Sequence, residues 1–350
     1  MDYPFPSPPS SVHSYGRRRT IRKVPKVLGK VLVKGVSKLA RHFSGDHEAL
    51  EKGAMVMAAL AEAQKDGAIL ESFPPILATL VEPLLQDENQ RIQEQCAKAI
   101  AIVAAQVDPE ICELMLEFPR LLEGLVGLLF RAERYHVQEG AAFALMNIAG
   151  GGGSLCQRTI CLHPRALEGI VGLLSQERST LVLLYGASMI YLLGIHPDNP
   201  KIIMEYPGAL EGVVRVLLKT EVPVAQARAA LALSVLALGS DTKNTIADFP
   251  EALPGILQLL TLEEFPEVQE CAVTALASII TAESTPRILE FPNLPTRLQL
   301  LAQSYELAIV AIVDLDYYNK KESAKQNAEH SLVQSRRVPE LRLLNFPTSN

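Results

Sequence analysis

Several features that mark other classes of protein are scarce or absent in this sequence. It contains no tryptophan, and aromatic residues make up only 5% of its 350 residues, although 48% are hydrophobic. Its longest unbroken apolar runs, such as residues 99–105 and 307–313, are far shorter than the ~18 residues that a membrane-spanning helix needs. The composition therefore favours small aliphatic helix faces and leaves little material for strands.

Cysteine is also scarce. The five cysteines form no CxxC pair, and none has metal-ligand spacing with the seven histidines. Isolated cysteines of this kind are typical of small buried thiols in a reducing compartment rather than of disulfides or a metal site. We therefore expect no metal and no other cofactor.

The chain does contain a recurring pair, an aromatic residue or His followed by Pro. Successive prolines of these pairs are separated by 45, 45, 43, 43 and 42 residues. A period in the low to middle forties indicates stacked helical repeats. The six pairs are Phe73-Pro74, Phe118-Pro119, His163-Pro164, Tyr206-Pro207, Phe249-Pro250 and Phe291-Pro292.

Each pair is followed by two predicted helices. The stretches PRLLEGLVGLL (119–129), PRALEGIVGLL (164–174) and PGALEGVVRVL (207–217) share one apolar pattern. After a polar turn, segments such as VQEGAAFALMNIA (137–149) and VQECAVTALASII (268–280) place apolar residues three and four apart, the period of a helix. Small residues on these helices allow close approach to a neighbouring helix.

A short helix is predicted to complete each unit. Asp108, Asn199 and Thr285 each precede a proline, which is tolerated at the first helical position, so they are candidate N-caps. Ser154 and Gln157 have the spacing of a capping box at the corresponding place in another repeat. The next aromatic-Pro pair ends the short helix, because the residue before proline is disfavoured in the α region.

These patterns resemble the armadillo repeat family, in the manner of importin-α and β-catenin. The stretch VQEGAAFALMNIAGG (137–151) is similar to the third helix of an importin-α-type repeat. Phe-Pro followed by Leu-x-Gly-Leu-Val-x-Leu-Leu is similar to the family's junction between first and second helices. The resemblance covers roughly residues 46–318 and implies an all-α fold, a right-handed α-solenoid of about six three-helix repeats with atypical capping helices.

The chain divides into three predicted parts. Residues 1–25 form a Pro/Ser-rich basic segment that is expected to be disordered. The solenoid spans 26–318 and includes an N-terminal cap at 26–73, and residues 319–350 form a polar C-terminal tail. Its repeats start near residues 74, 119, 164, 207, 250 and 292.

Positive charge is concentrated near the N-terminus. The first 45 residues carry about +9 and the remainder about −15, which disfavours nucleic-acid binding by the repeats, since phosphate contacts need basic clusters. Lysines at every fourth position from Lys26 to Lys38 predict a basic amphipathic helix. Three roles are open for it: a polar cap of the solenoid, a nuclear or organelle targeting signal, or contact with an anionic membrane. The basic residues are Arg17, Arg18, Arg19, Arg22, Lys23, Lys26, Lys30, Lys34 and Lys38.

Nothing in the sequence indicates catalysis. Gly150–Gly153 follows a predicted helix and lacks the strand and the Lys-Ser/Thr of a phosphate-binding loop. His136, His163 and His196 fall near helix ends in different repeats, so they are not expected to form one site. We therefore predict a non-enzymatic protein without a small-molecule substrate. Cytoplasm or nucleus is its expected location, with organelle targeting left open.

The third helices are expected to line a concave binding surface. In importin-α-type proteins a Trp, and an Asn four residues later, repeat along these helices, and the resemblance places the two positions at Phe143 and Asn147. The other copies lack the Asn, which disfavours an importin-α-like nuclear transport adaptor. The candidate binding residues are Lys98, Phe143, Asn147, Met189, Leu193, Leu231, Val235, Thr274 and Ser278.

The middle of this surface is apolar, and two interpretations are open. If Met189, Leu193 and Leu231 are exposed, they bind a peptide or an amphipathic helix of a partner protein. Otherwise they belong to the packing between repeats, and the alignment is one residue out. The predicted function is a non-catalytic scaffold or adaptor for protein partners, with a nuclear transport adaptor as the alternative.

Overall fold

The computed structural model describes residues 77–78, 80–85, 90–105, 109–131, 133–175, 179–219 and 222–337. All regular secondary structure in these residues is helical. The predicted N-terminal segment 1–25 and cap 26–73, with all nine residues of the basic segment, lie outside the described residues. Their three candidate roles stay predictions.

The helices follow one another in a repeating order: a short first helix, a second helix and a longer third helix. The first described unit has helical residues at 77–78 and 80–85, followed by α1 (Gln90–Ala104). Five further units each contain three helices, as the sequence predicts. These are α2 (Pro109–Glu117), α3 (Leu121–Leu128) and α4 (Tyr135–Gly151); α5 (Gly153–Leu162), α6 (Ala166–Leu174) and α7 (Thr180–Gly194); α8 (Asn199–Glu205), α9 (Ala209–Lys219) and α10 (Pro223–Leu236); α11 (Ser240–Asp248), α12 (Ala252–Leu259) and α13 (Pro266–Ile279); and α14 (Thr285–Leu289), α15 (Leu294–Leu301) and α16 (Glu306–Arg337).

The last helix runs further than the sequence indicated. α16 continues without a break past residue 318, where the polar tail was predicted to begin, and ends at Arg337. The stretch 319–337 is rich in Lys, Glu, Gln and Ala, which are strong helix formers. Polarity alone therefore does not separate a tail from an extension of the helix.

The core of the stack is formed by third helices packed on third helices. Each of α4, α7, α10 and α13 lies between the third helices of the two neighbouring repeats, and the buried residues form one continuous apolar cluster. Alanine supplies much of this interface, because a side chain of one carbon lets helix axes approach closely. The fully buried alanines include Ala97, Ala101, Ala141, Ala144, Ala187, Ala229, Ala230, Ala272 and Ala275.

The aromatic-Pro pairs form the same turn in five repeats. The residue after proline has a left-handed backbone in each, with φ between 59° and 80°. Proline at the second position and positive φ at the third are the features of a type II turn, which favours Gly or Asn at that third position. Gly208 and Asn293 fit this preference, whereas Arg120, Arg165 and Glu251 adopt a conformation that costs about 1–2 kcal/mol in a non-glycine residue.

The predicted helix caps are wrong where the described residues include them. α8 begins at Asn199 itself and α14 at Thr285, and α5 has Gly152 as its N-cap, so no capping box forms. Asn199 is instead fully buried. Its Nδ2 donates to the carbonyl oxygens of Gln157 in α5 (3.2 Å) and Leu193 in α7 (2.9 Å), and its Oδ1 accepts a hydrogen bond from Arg158 (3.0 Å). Asn199 therefore joins three helices.

Glutamine side chains near the start of the third helices donate hydrogen bonds to carbonyl groups at the ends of the second helices. Gln138 is buried, and its Nε2 donates to the carbonyl oxygen of Leu129 at a distance of 2.7 Å. The last carbonyl groups of a helix have no intrahelical partner, so this bond satisfies an acceptor that would otherwise be orphaned. Equivalent bonds join Gln93 to Leu84, Gln226 to Leu217 and Gln269 to Leu260. The third helix α7 contains no glutamine.

Replacing Gly208 by Ala is expected to lower the free energy of unfolding by about 1 kcal/mol, because Ala resists positive φ. Steric clash contributes nothing, since the nearest atom to the added Cβ lies 3.7 Å away. The matched control is Gly172→Ala inside α6, where a Cβ meets no atom within 4 Å. It should raise stability by about 0.5–1 kcal/mol. Urea denaturation followed by circular dichroism measures both, and changes of equal sign would contradict the assigned turn.

Replacing Gln138 by Leu is expected to lower the free energy of unfolding by about 1–3 kcal/mol, since the buried Leu129 carbonyl loses its donor. Gln258→Leu on the exposed side of α12 is the control and should change stability by less than about 0.5 kcal/mol. The same denaturation measurement applies. An equal loss of stability in the two variants would show that the hydrogen bond to Leu129 makes no net contribution to the free energy of unfolding.

Candidate functional site

The predicted binding residues at the N-terminal end of the stack are already engaged within the protein. Lys98 is half-buried, with its Nζ 2.6 Å from Glu94 Oε1. Phe143 is only 7% exposed, and its ring centroid lies 5.2 Å from that of Tyr185. The Nδ2 of Asn147 donates to the carbonyl oxygen of Ala101 in α1 at 3.0 Å. The side chain of Asn147 therefore holds one third helix against the preceding one.

Met189 and Leu193 are not accessible. Both are fully buried in the apolar core, so the expectation that they are exposed in a groove is wrong. The predicted positions match Met189 with Phe143, and therefore Gly186 with Gly140, but the two glycines face different neighbours. A Cβ on Gly140 would lie 3.3 Å from Ala97 of the preceding third helix, whereas one on Gly186 would lie 3.1 Å from Leu173 of its own second helix.

The third helix of this repeat is therefore one residue out of the predicted register. Tyr185, not Gly186, faces the preceding third helix, as its contact with Phe143 shows. One residue corresponds to about 100° of rotation in an α-helix. The positions equivalent to Phe143 and Asn147 are consequently Ser188 and Leu192, and Met189 and Leu193 turn into the core.

The corrected register defines one surface, which we call the third-helix face. In each helix its positions are spaced by four, three, four and three residues, as expected for one side of a helix. Its floor is buried, at Tyr185 and Ser188 for example, and its remaining positions are half-buried or exposed. The face comprises His136, Gly140, Phe143, Asn147 and Gly150; Leu181, Tyr185, Ser188, Leu192 and Ile195; Val224, Arg228, Leu231, Val235 and Leu238; and Glu267, Cys271, Thr274, Ser278 and Thr281.

The chemistry of the third-helix face changes along the stack. Its accessible positions on α7 and α10, and directly after them, are aliphatic except for Arg228. Leu231 is half-buried, whereas Val235, another candidate binding residue, is buried. On α13 the hydroxyl groups of Thr274 and Ser278 each donate to the backbone carbonyl four residues earlier at 2.8 Å. The hydroxyl donors of these two side chains are therefore already used in hydrogen bonds within α13.

A polar cluster that the sequence did not reveal crosses the boundary between α7, α10 and α13. It consists of Tyr191, Arg228 and Cys271. Burial raises the pKa of Tyr191 and lowers that of Arg228. Burial, assisted by the nearby carboxylates of Glu270 and Glu267, raises the pKa of Cys271 to about 11, while the Arg228 guanidinium opposes the rise. No single repeat contains this pattern, so only the superposition of repeats brings the three residues together.

Acidic residues flank the apolar part of the face. On one side Glu139 accepts a hydrogen bond from the Ser179 hydroxyl, and its Oε2 lies 3.7 Å from His136 Nδ1. On the other side Glu267 and Glu270 are exposed at the start of α13. The aliphatic centre therefore has exposed negative charge on one side, at Glu267 and Glu270, and one cation, Arg228, inside it. Glu139 on the other side is mostly buried and already paired.

A cavity of about 500 Å³ lies among the second helices and their preceding turns. Arg120 and Arg165 line it, but the Nε of each lies 3.1 Å from a glutamate three residues later in the chain. The Arg165 guanidinium also lies 4.0 Å from the centroid of the Phe130 ring. Two of the three arginines that line the cavity, Arg120 and Arg165, are thus paired with a glutamate; the third is Arg131.

Two further classes of site were sought in the described ranges. There, no three His, Cys, Asp or Glu side chains are placed to hold a metal ion. The helices resolved in these ranges also include none that is long and apolar enough to cross a bilayer.

The fold is represented among solved structures. No family model and no curated protein matches the sequence. A designed armadillo repeat protein, YIII(Dq)4CqI, matches with a TM-score of 0.60 at 24% identity. The match covers 68% of this chain and 99% of the designed protein. Another, in complex with the peptide (KR)4, matches with a TM-score of 0.56 at 22% identity, covering 73% and 100%. UNC-45 from Drosophila melanogaster matches with a TM-score of 0.56 at 14% identity, covering 83% of this chain and 38% of its own.

The order of helices and the packing of third helices on one another define an α-solenoid protein. The matches to designed armadillo proteins specify it further: the fold is that of armadillo repeats. The resemblance predicted from the Phe-Pro junctions and from residues 137–151 is thereby confirmed at the level of the fold.

The Cys271 thiol provides a test of the polar cluster. With a pKa of about 11, only about one thiol in a thousand is ionised at pH 8, so alkylation by iodoacetamide should accelerate about tenfold per pH unit up to that pKa. Cys271 should react before the four buried cysteines. Arg228→Met removes the opposing cation, raises the pKa of Cys271 further, and should slow alkylation at pH 9. A rate that is already constant above pH 9 would contradict this environment.

Proposed function

We propose that this protein is a non-catalytic scaffold that binds a segment of a partner protein along the third-helix face. The observation that carries the proposal is the aliphatic stretch across α7 and α10. Leu181, Leu192, Val224 and Leu231 are half-buried on one side of two adjacent helices, and Leu238 beside them is 65% exposed. Accessible apolar side chains grouped on one surface are a feature of sites that bind other proteins.

The chemistry of the face suits a partner segment with apolar side chains between basic ones. An amphipathic helix or an extended segment would place its apolar residues on Leu192 and Leu231. Its basic residues would then lie near Glu267 and Glu270, which are exposed at one edge, where opposite charges steer association. That a designed protein of the same fold was solved with the peptide (KR)4 supports the use of this fold for peptides.

The alternative, an importin-α-like nuclear transport adaptor, has less support. Such an adaptor depends on a ladder of Asn side chains, and the corrected register places Leu192, Val235 and Ser278 where further members of the ladder would stand. The amide of Asn147 is already bonded to Ala101. We therefore retain the scaffold as the proposed function. We propose that its partner is bound through side-chain contacts rather than through hydrogen bonds to the partner's backbone.

The test uses peptides selected against the full chain from a random display library. The double substitution Leu192→Glu with Leu231→Glu should weaken binding of these peptides at least about tenfold, because a few central residues carry most of the affinity of an interface. Calorimetry measures the dissociation constants, and circular dichroism checks that the variant is folded.

The matched control is Leu155→Glu with Leu162→Glu on α5. These leucines are more than half exposed and lie on a first helix, so the control should alter affinity less than about twofold. Peptides that bind the third-helix variant and the wild-type chain equally well would place the binding surface elsewhere. Binding that weakens with added salt would support basic flanking residues.

A further inference from the structure

The helix α16 carries an apolar stripe that no described helix covers. Ile309, Val310, Val313 and Tyr317 are each between 45% and 58% exposed. The opposite side of the same helix is buried, at Ala308, Ala311 and Leu315, against α13, α14 and α15. Every preceding third helix from α4 to α13 has a third helix on each side. Among the described residues, α16 has one on a single side.

The charges at the two ends of the stripe are opposite. Glu306 lies seven residues before Val313 and Lys320 seven residues after it, and both are exposed. Neither forms an ion pair with another residue in the described part of the chain. Ile309 and Tyr317 lie four residues before and after Val313. Ile309 and Tyr317 are thus placed symmetrically about Val313, and the charges at the two ends are opposite in sign. The fourth member of the stripe, Val310, has Asp316 at its mirror position.

This arrangement suits a second helix of identical sequence that runs in the opposite direction. With Val313 on a two-fold axis, Ile309 meets the partner's Tyr317, and Glu306 meets the partner's Lys320. The reciprocal contacts repeat on the other side of the axis, as a two-fold interface requires. A parallel copy would instead bring Glu306 against an identical glutamate and Lys320 against an identical lysine.

We propose that the chain forms a homodimer through α16, with the two helices antiparallel and crossing at Val313. The apolar stripe spans about 12 Å of helix and the segment from Glu306 to Lys320 about 21 Å, so the interface is at the small end of those that hold proteins together. The dimer should accordingly form and dissociate reversibly with protein concentration. It leaves both third-helix faces unobstructed by its own contacts, and two linked faces bind a partner with repeated motifs more tightly than one.

Exchange of the two charges tests the geometry directly. In the full chain, Glu306→Lys alone or Lys320→Glu alone puts like charges against each other at both ends of the interface. Each should raise the dimer dissociation constant at least about tenfold. The double variant, Glu306→Lys with Lys320→Glu, restores opposite charges and should return the constant to within about threefold of wild type. Sedimentation equilibrium over a range of concentrations measures all four proteins.

Two further variants examine the axis. Val313→Glu places two carboxylates together and should leave the chain monomeric at concentrations where the wild type is dimeric. Val313→Cys should form a disulfide-linked dimer under mild oxidation, whereas Lys201→Cys, exposed on a first helix, should not. Because Glu306 and Lys320 are fourteen residues apart in one helix, rescue by the double exchange cannot arise within a single chain.

Three results would overturn the proposal. A wild-type chain that remains monomeric, with the thiol of Val313→Cys protected from labelling, would assign the stripe to another segment of the same chain, such as residues 338–350. A monomer with a freely labelled thiol would leave the stripe to a different protein. A dimer that tolerates Val313→Glu, or that the double exchange fails to restore, would show that the copies meet in another way.

Discussion

Close packing of one third helix on the next is the contact on which the rest of the structure depends. It requires small side chains at the interface, and the buried alanines from Ala97 to Ala275 supply them. Because each repeat packs mainly on its neighbours, the buried apolar cluster runs along the stack, and stability adds up from one interface to the next. The same packing leaves one side of each helix accessible. The third-helix face is therefore a by-product of how the chain is stabilised.

The fold could be predicted from the sequence because its signals recur. A Phe-Pro pair in isolation indicates a turn, but six pairs at a nearly constant period indicate a repeat, and errors in one copy are corrected by the others. Non-local contacts gave no such signal. Asn199 has the local pattern of a helix cap, yet its amide joins α5, α7 and α8, and nothing within a few residues of Asn199 distinguishes the two roles.

The candidate site was predicted less well, for a geometric reason. A shift of one residue hardly changes the match between two apolar helices. The predicted register pairs Gly186 and Ala187 with Gly140 and Ala141, whereas the register in the structure pairs Tyr185 with Gly140. The same shift rotates the side chains by about 100°, which moves Met189 and Leu193 from the surface into the core. Leu231, Thr274 and Ser278 did lie on the accessible side, because their repeats were aligned correctly. An alignment that is accurate enough to identify the fold can therefore still place the wrong residues on the surface.

The register of the third-helix face is constant along the stack: Gly140, Tyr185, Arg228 and Cys271 each lie 21 residues after the proline of their own repeat. This constancy has a consequence for how such a protein can change its specificity. One residue gained or lost between a second and a third helix would turn the third helix by about 100°. A change of one residue in the length of such a loop can thus exchange all the surface residues of one third helix at once. Substitutions would have to change the same residues one at a time.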